Sequence, residues 1–384
     1  MRKRSLLAFA SATLLLMLSG CWNTKDIQNL GFVTAIGIDY EKGKYISYVQ
    51  ILNFANIAKT ESAQIGKVVP VWIGKGEGVT VTESFNNIYS TAQLRLFWGH
   101  VKAIVLSERF LKKGGRIKEA YDMLNRYREI RYNILMYGTK EPIRDILAQK
   151  SVLNLSPLDT LMDTPKQAYS QRSFIMPVYG FQLIAQFDER AELARLPSLS
   201  FNRHSWTEDK KARTMFKIDG AYFFHDLDLK GWLSEQDLAG YRWFQKKFVR
   251  SPIHIPAKKS PNAALVLIKP KPRIHYVVRN GRAFFNVRMS TQSYVDELVR
   301  NLSKKEIEEQ AARAIEKEIR ETYEKGLRLK IDVLNLGGFL HRENPKMWKK
   351  LQRSGEIPLS KDSLQRIDVK VTLIHSGKYK LRID

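Results

Sequence analysis

Apolar residues along this chain fall into two rhythms, alternation for strands and the i, i+3, i+4 spacing for helices. Phe32 to Tyr40 is rich in Val, Ile and Thr, and Lys44 to Leu52 alternates strongly, with Lys42-Gly43 between them. Together they predict a β-hairpin. Val68 to Ile73 is a third strand, followed by the run Gly74-Lys75-Gly76-Glu77-Gly78. That run reads as a turn into a helix, with an anion cradle at the helix start as the alternative. Thr80 and Glu83 form a capping box, after which Val81, Phe85, Ile88 and Ala92 share one helical face.

Beyond it the rhythms alternate. Val101 to Leu106 is a buried strand, Glu108 to Tyr127 a helix interrupted at Gly114-Gly115, Tyr132 to Tyr137 a strand and Pro142 to Gln149 a short helix. Strands separated by helices imply a sheet with helices packed on it. From Lys150 to Ser173 periodicity fades, and Pro157, Pro165 and Pro177 punctuate an irregular surface or mobile loop that leads into a helix from Pro177 to Phe187.

A second unit begins near Pro197. It has a strand from Met215 to Phe224, a hairpin partner from Leu227 to Leu233, and a helix capped by Ser234 and Asp237 that runs through Tyr241, Trp243 and Phe244. Ser251 to Pro261 reads as a linker. In the third unit, Ala264 to Pro270, Arg273 to Val278 and Ala283 to Met289 are strands, the last two joined by the hairpin signal Asn280-Gly281. A capping box at Ser303 and Glu306 opens a helix with the apolar face Ile307, Ala311, Ala314, Ile315 and Ile319, closed by Gly326. Gln365 to Ile374 and Tyr379 to Ile383 end the chain as a hairpin around Ser376-Gly377.

The expected fold class is mixed α/β (α+β), each domain a β-sheet with packed helices. The boundaries are a leader over 1–20, an N-terminal α/β domain over 21–196, a small middle α/β domain over 197–260, and a C-terminal α+β domain over 261–384 made of an antiparallel sheet and a long helix.

The leader changes the picture most. Arg2, Lys3 and Arg4 precede an apolar run from Leu6 to Leu18, a pattern for export that is too short to span a bilayer core needing about 20 apolar residues. It ends in Leu18-Ser19-Gly20-Cys21, similar to the lipobox of bacterial lipoproteins. Leu18, Ser19 and Gly20 would be read by the signal peptidase, and Cys21 would carry diacylglycerol and an N-acyl chain. An ordinary secretory peptide with a chance cysteine is the alternative. Cys21 is the only cysteine, so no intramolecular disulfide and no Cys-x-x-Cys site exists.

The 384 residues carry a formal net charge of +25, with 44% hydrophobic and 27% charged residues. Lys and Arg are spread along the chain without a nucleic-acid fold's fingerprint, so no nucleic-acid partner is expected. Either anionic lipids and envelope polymers attract this charge, or it is a solvated basic surface. Catalytic signals are absent. The seven histidines, His100, His204, His225 and His254 among them, form no ligand spacing, and neither a Gly-x-Ser-x-Gly elbow nor a phosphate-binding Gly-x-x-x-x-Gly-Lys-Ser/Thr occurs. The carboxylate pairs Asp226 with Asp228 and Glu235 with Asp237 are accounted for by turns and capping. No cofactor, metal site or catalytic residue is expected; binding or scaffolding is the class that remains.

Cys21-Trp22 followed by Asn29-Leu30-Gly31-Phe32-Val33-Thr34-Ala35-Ile36-Gly37-Ile38-Asp39 resembles the mature start of the Ger(x)C family, the lipoprotein C subunits of spore nutrient-germinant receptors. Three further stretches fit in order: Phe97-Trp98-Gly99-His100-Val101-Lys102 with Ser107-Glu108; Asp219-Gly220-Ala221-Tyr222-Phe223 with Leu229-Lys230-Gly231-Trp232-Leu233; and Asp332-Val333 through Gly338 with Pro345 and Trp348. Lys150 to Arg213 shows no pattern to match. The resemblance implies a three-domain ectodomain on the outer face of the spore inner membrane. It would act with two integral membrane subunits, A-type and B-type, one of them transporter-like, in a receptor that answers amino acids, sugars or nucleosides. It supplies no catalytic residues.

Trp98, Gly99 and His100 are the candidate partner contact, Trp being favoured at interface centres. Their other reading is a tight turn before a strand. A solute-binding lipoprotein serving a permease is the second functional expectation, which a cleft between two similar lobes would favour. An envelope-modifying enzyme is the third, to be recognised by a pocket with strongly shifted carboxylate or histidine pKa values.

Overall fold

A computed structural model of the chain describes residues 30–52, 70–127, 129–154, 158–189, 191–256, 261–353 and 355–375. Leu18, Ser19, Gly20 and Cys21, and the expected last hairpin around Ser376-Gly377, lie outside the described residues.

The first sheet is built from β1 (Leu30–Glu41), β2 (Lys44–Leu52), β3 (Trp72–Gly78), β4 (Arg95–Phe97), β5 (Ala103–Ser107), β6 (Leu135–Thr139), β7 (Ala194–Glu208), β8 (Lys211–His225) and β9 (Asp228–Ser234). Its nine strands lie in the order β3-β2-β1-β5-β6-β7-β8-β9, with β4 also paired to β1. The run β1-β5-β6-β7 is parallel and its flanks are antiparallel. Helices α1 (Val81–Tyr89), α2 (Glu108–Leu111), α3 (Arg116–Asn125), α4 (Ile143–Ala148), α5 (Pro165–Gln171) and α6 (Gly180–Asp188) complete this half.

Burial of both faces explains why the central strands read as continuous apolar runs. Ile104, Leu106 and Met136 join Phe85 of α1, Phe110 of α2 and Leu124 of α3 on one face. Ala103, Val105, Leu135 and Tyr137 meet Ile143, Ile146 and Leu147 of α4 on the other. The β1-β2 hairpin turns at Lys42 and Gly43, both at positive φ (50° and 81°), as a two-residue primed turn requires.

The second sheet has β10 (Arg250–Ile255), β11 (Ala263–Arg279), β12 (Arg282–Leu298) and β13 (Leu364–His375) in the order β10-β11-β12-β13. Across it lies α7 (Lys304–Arg328), and α8 (Leu336–Glu343) and α9 (Pro345–Leu351) follow. Every residue of the predicted apolar face of α7, from Ile307 to Ile319, is buried against this sheet. Its capping box forms, with the Glu306 amide donating to Ser303 Oγ at 3.3 Å and the Ser303 amide donating to Glu306 at 2.8 Å.

Several expectations need correction. The glycine run is neither a loop nor an anion cradle: it is the edge strand β3 itself. A Cβ on Gly76 would lie 2.0 Å from the Ser84 carbonyl oxygen, so glycine is what lets α1 sit against the strand. The stretch read as irregular contains α5, and the helix expected from Pro177 begins at Gly180. Residues 197–260 do not form a sheet of their own. Strands β7 to β9 extend the first sheet, and the first half of the expected linker is β10 of the second, where an edge position tolerates Pro252. The helix expected through Tyr241 is a 3₁₀ turn over Tyr241–Phe244, although Ser234 Oγ does donate to Asp237 Oδ2 at 2.7 Å.

The C-terminal sheet is not purely antiparallel, because β12 and β13 pair in parallel; residues 299–363 supply the long crossover this demands. The two strands expected between Ala264 and Val278 are one, β11, with a register shift between Ile268 and Lys271. Helix α7 continues past Gly326 to Arg328.

Strand β8 joins the halves. Tyr222 and Phe224 belong to the core under the first sheet's helices, whereas Ala221 and Phe223 belong to the core around α7. The segment after β9 is pinned on α7: buried Arg242 donates to both Glu318 carboxylate oxygens at 2.8 and 2.9 Å, and Trp243 Nε1 donates to Oε2 at 2.9 Å. Thr322 Oγ1 accepts the Gly240 amide at 2.9 Å and donates to the Asp237 carbonyl at 2.7 Å.

Removing one partner of that pair strands a buried charge. Glu318→Ala is therefore expected to cost about 3–5 kcal/mol in denaturant unfolding, and a loss under about 1 kcal/mol would show that the pair contributes little. Asp163, buried beside β6, accepts from Thr160 Oγ1 at 2.7 Å, and burial pushes its carboxyl up to about 6. The folded state thus holds a proton that the unfolded state releases near pH 4, so this group's contribution is present below that pH and lost as pH rises through about 6. Asp163→Asn should match the parent near pH 4 and exceed it by about 2–3 kcal/mol at pH 7.5. Thermal melts at the two pH values measure this, and an equal difference at both would refute it.

Candidate functional site

The sequence-selected residues meet where the chain enters β1. One edge of β1 accepts two successive parallel partners: Leu30 to Phe32 pair with Arg95 to Phe97 of β4, and Ala35 to Ile38 pair with Ala103 to Leu106 of β5. Trp98 to Lys102 is the connection. The Val101 amide donates to the Trp98 carbonyl at 3.2 Å, and the Lys102 amide reaches across to the Thr34 carbonyl at 2.8 Å.

Trp98 is 5% exposed. Its ring meets Phe85 edge-on at 5.2 Å and lies 5.7 Å from Tyr127, and its amide donates to Glu129 Oε2 at 3.1 Å. As a docking side chain it is excluded by burial; it packs α1 and the end of α3 against the sheet. A Cβ on Gly99 would lie 2.8 Å from the Phe97 ring, so glycine lets that ring pack close to the turn. His100 is half-buried, its ring edge-on to Phe32 at 5.1 Å and 5.7 Å from Phe97. Burial, with Arg131 and Lys102 nearby, holds its pKa below the usual histidine range, so it is neutral at pH 7. Of the three, only His100 offers part of a polar side chain at the surface.

A second feature lies between the halves and was not legible in the sequence. A recess of about 350 Å³ is lined by His225, Lys330, Asp332, Asn335, Trp348 and Glu356 among others. It continues through Asp332 and Asn335 into a wider groove of about 880 Å³ that includes Arg195, Tyr241, Arg273 and His275. His225 lies 3.3 Å from both Asp226 and Glu356. Asp332 accepts the amides of Leu336 at 3.0 Å and Gly337 at 2.6 Å, which caps α8, while burial pushes its carboxyl up to about 6. The lobes are dissimilar, a nine-stranded sheet with helices facing a four-stranded sheet with its long helix. Among the described residues no group of His, Cys, Asp and Glu could hold a metal ion.

Truncation should separate packing from surface at the turn. Trp98→Ala is expected to lower stability by about 3–5 kcal/mol and His100→Ala by less than about 1 kcal/mol, both read by denaturant unfolding. A small Trp98 effect would mean that the ring is not part of the core.

Comparison with known proteins follows the two halves. Residues 23–200 match the family described as spore germination protein N-terminal domain, and residues 219–377 match the family described as spore germination B3/GerAC like, C-terminal. Spore germination protein KC of Bacillus subtilis (strain 168) is 23% identical over 92% of this chain and 91% of its own length. Spore germination protein B3 of the same organism is 19% identical over 95% and 96%. The crystal structure of the GerBC protein shares the fold at a TM-score of 0.51 and 16% identity, covering 91% of this chain and 100% of that one. With both family domains present in order and the fold shared, the chain belongs to the Ger(x)C family of spore germination proteins.

Proposed function

We propose that this chain is the lipid-anchored subunit of a spore nutrient-germinant receptor. Acyl chains on Cys21 hold it on the outer face of the spore inner membrane, where it acts through contacts with A-type and B-type integral membrane subunits rather than by catalysis. The observation that carries this reading is the pair of family domains over 23–200 and 219–377, which give the chain its role in germination. The lipobox ending in Cys21 supports the anchor: each buried methylene contributes about 0.8 kcal/mol, so two acyl chains hold where one is marginal. Among the described residues no helix is long and apolar enough to cross a membrane. Its mechanism is to position the membrane subunits so that ligand binding is transmitted.

The groove between the halves favours the second reading, a solute-binding lipoprotein serving a permease. The dissimilarity of the two lobes argues against it.

Detergent extraction of spore membranes and affinity capture through a C-terminal tag tests the proposal, with Cys21→Ala beside the native chain. Recovery with two multi-span proteins, reduced at least about tenfold by Cys21→Ala, is the expected result. Recovery alone or with an ATP-driven permease would overturn it.

A further inference from the structure

Strand register gathers exposed aromatic and basic residues onto one rim of the first sheet. Trp72 of β3 pairs with Ile51 of β2, which pairs with Val33 near the start of β1. Leu94 immediately precedes the Arg95–Leu30 pair. On the other side, Leu135 is level with Ala103 and so with Ala35, which places Tyr132 beyond the same end of the sheet. The Gly180 amide donates to the Ile134 carbonyl at 2.8 Å and brings in Phe181, whose ring lies 5.8 Å from that of Tyr132. Trp72 and Tyr132 are each 72% exposed, and Leu94 and Phe181 are 41% and 42% exposed. At about 4.8 Å per strand, the rim from β3 to β6 is roughly 20 Å long.

Its charge is predominantly basic. Arg95, Lys102 and Arg131 are exposed and have no carboxylate ion-pair partner among the described residues. Asp122 is ion-paired with Arg126 at 2.8 Å, whereas Glu129, which accepts the Trp98 amide, keeps its negative charge beside these three cations. His100 is held neutral here and adds no charge.

Chain connectivity selects what covers this rim. The described structure starts at Leu30, on the rim, and eight residues, 22–29, separate it from Cys21. Such a segment reaches at most about 30 Å, so a lipid on Cys21 keeps the rim close to the bilayer. The exposed pair Leu153 and Trp206 offers no equal alternative: Trp206 lies near the tip of the fifteen-residue β7, which runs parallel to β1 away from the rim. Trp, Tyr, Arg and Lys together are the side chains favoured at the headgroup level.

We infer that this rim rests on the membrane surface, with Trp72, Tyr132 and Phe181 at headgroup depth and Arg95, Lys102 and Arg131 against anionic lipid phosphates. The inference rests on the anchor reading and deepens it: the lipid fixes not only where the protein is but which way up it stands. The Lys42-Gly43 hairpin, at the far end of β1, then points away from the bilayer.

The full lipidated chain in vesicles of phosphatidylethanolamine and phosphatidylglycerol provides the test. Because the sole native cysteine is acylated, a spin label on Tyr132→Cys, and separately on Trp72→Cys, reports depth through relaxation by oxygen against a water-soluble nickel chelate. Both labels should favour oxygen, and a label on Lys44→Cys should favour nickel. Each of Arg95→Glu, Lys102→Glu and Arg131→Glu should lower the docked population about fivefold or more. Flotation with vesicles while the rim labels remain aqueous would overturn the orientation and leave the anchor standing. Failure to float would overturn both. Rim labels shielded only when the membrane subunits are reconstituted alongside would overturn the lipid contact and assign the rim to protein docking.

Discussion

Successive side chains of a strand point to opposite faces, and the molecule depends on that rule at β8. Tyr222 and Phe224 complete the core beneath the helices of the first sheet, while Ala221 and Phe223 complete the core around α7. A single strand therefore serves two cores, and neither half can close without it. Arg242 and Glu318 then fix the connecting segment to α7, with the indole of Trp243 on the same carboxylate. A buried ion pair of this kind is weak evidence for net stability, since its charges lost their hydration on folding. Its geometry sets how the connector lies, which hydrophobic contact alone would leave adjustable.

The stretches that carry the family resemblance turn out to serve this architecture. Phe97 to Lys102 is the connection that lets β1 take two partners on one edge. Asp219 to Phe223 falls on the shared strand, and Asp332 to Gly338 is a helix start capped by its own carboxylate. Scaffold duties of this sort fit the proposed role of a subunit that works by holding others in place. What matters for that role is which surfaces the geometry presents. Entry of the chain at the rim of the first sheet bears on this, because the tether proposed at Cys21 and a rim of aromatic and basic side chains point the same way.

The elements with a strong local rhythm were legible in sequence. The β1-β2 hairpin, the capped helices α1 and α7 and the buried strands β5 and β6 follow from turn chemistry, capping boxes and apolar period, all set by neighbours a few residues apart. Family membership was legible too, since its motifs recur in order along the chain. Misreadings arose where a residue's reason lay far away. Gly74 to Gly78 looked like a loop because only Ser84 and Ile88 of α1, packed on that strand, explain its glycines. Trp98 left docking and packing both open, because the rings that cover it, Phe85 and Tyr127, come from other elements.

Two things only the tertiary structure decided. One is partition: the run of elements over residues 197–260 reads along the chain as a separate unit, yet pairing across strands assigns them to two different sheets. The other is the rim, whose members Trp72, Leu94, Tyr132 and Phe181 are scattered in the chain and share no spacing. Local rhythm specifies which face of an element is apolar, but not which strand it pairs with, because pairing is settled by competition among distant edges for the same backbone hydrogen bonds. The sequence by itself determined the strongly periodic elements and the family; register across the sheet decided what stands beside what.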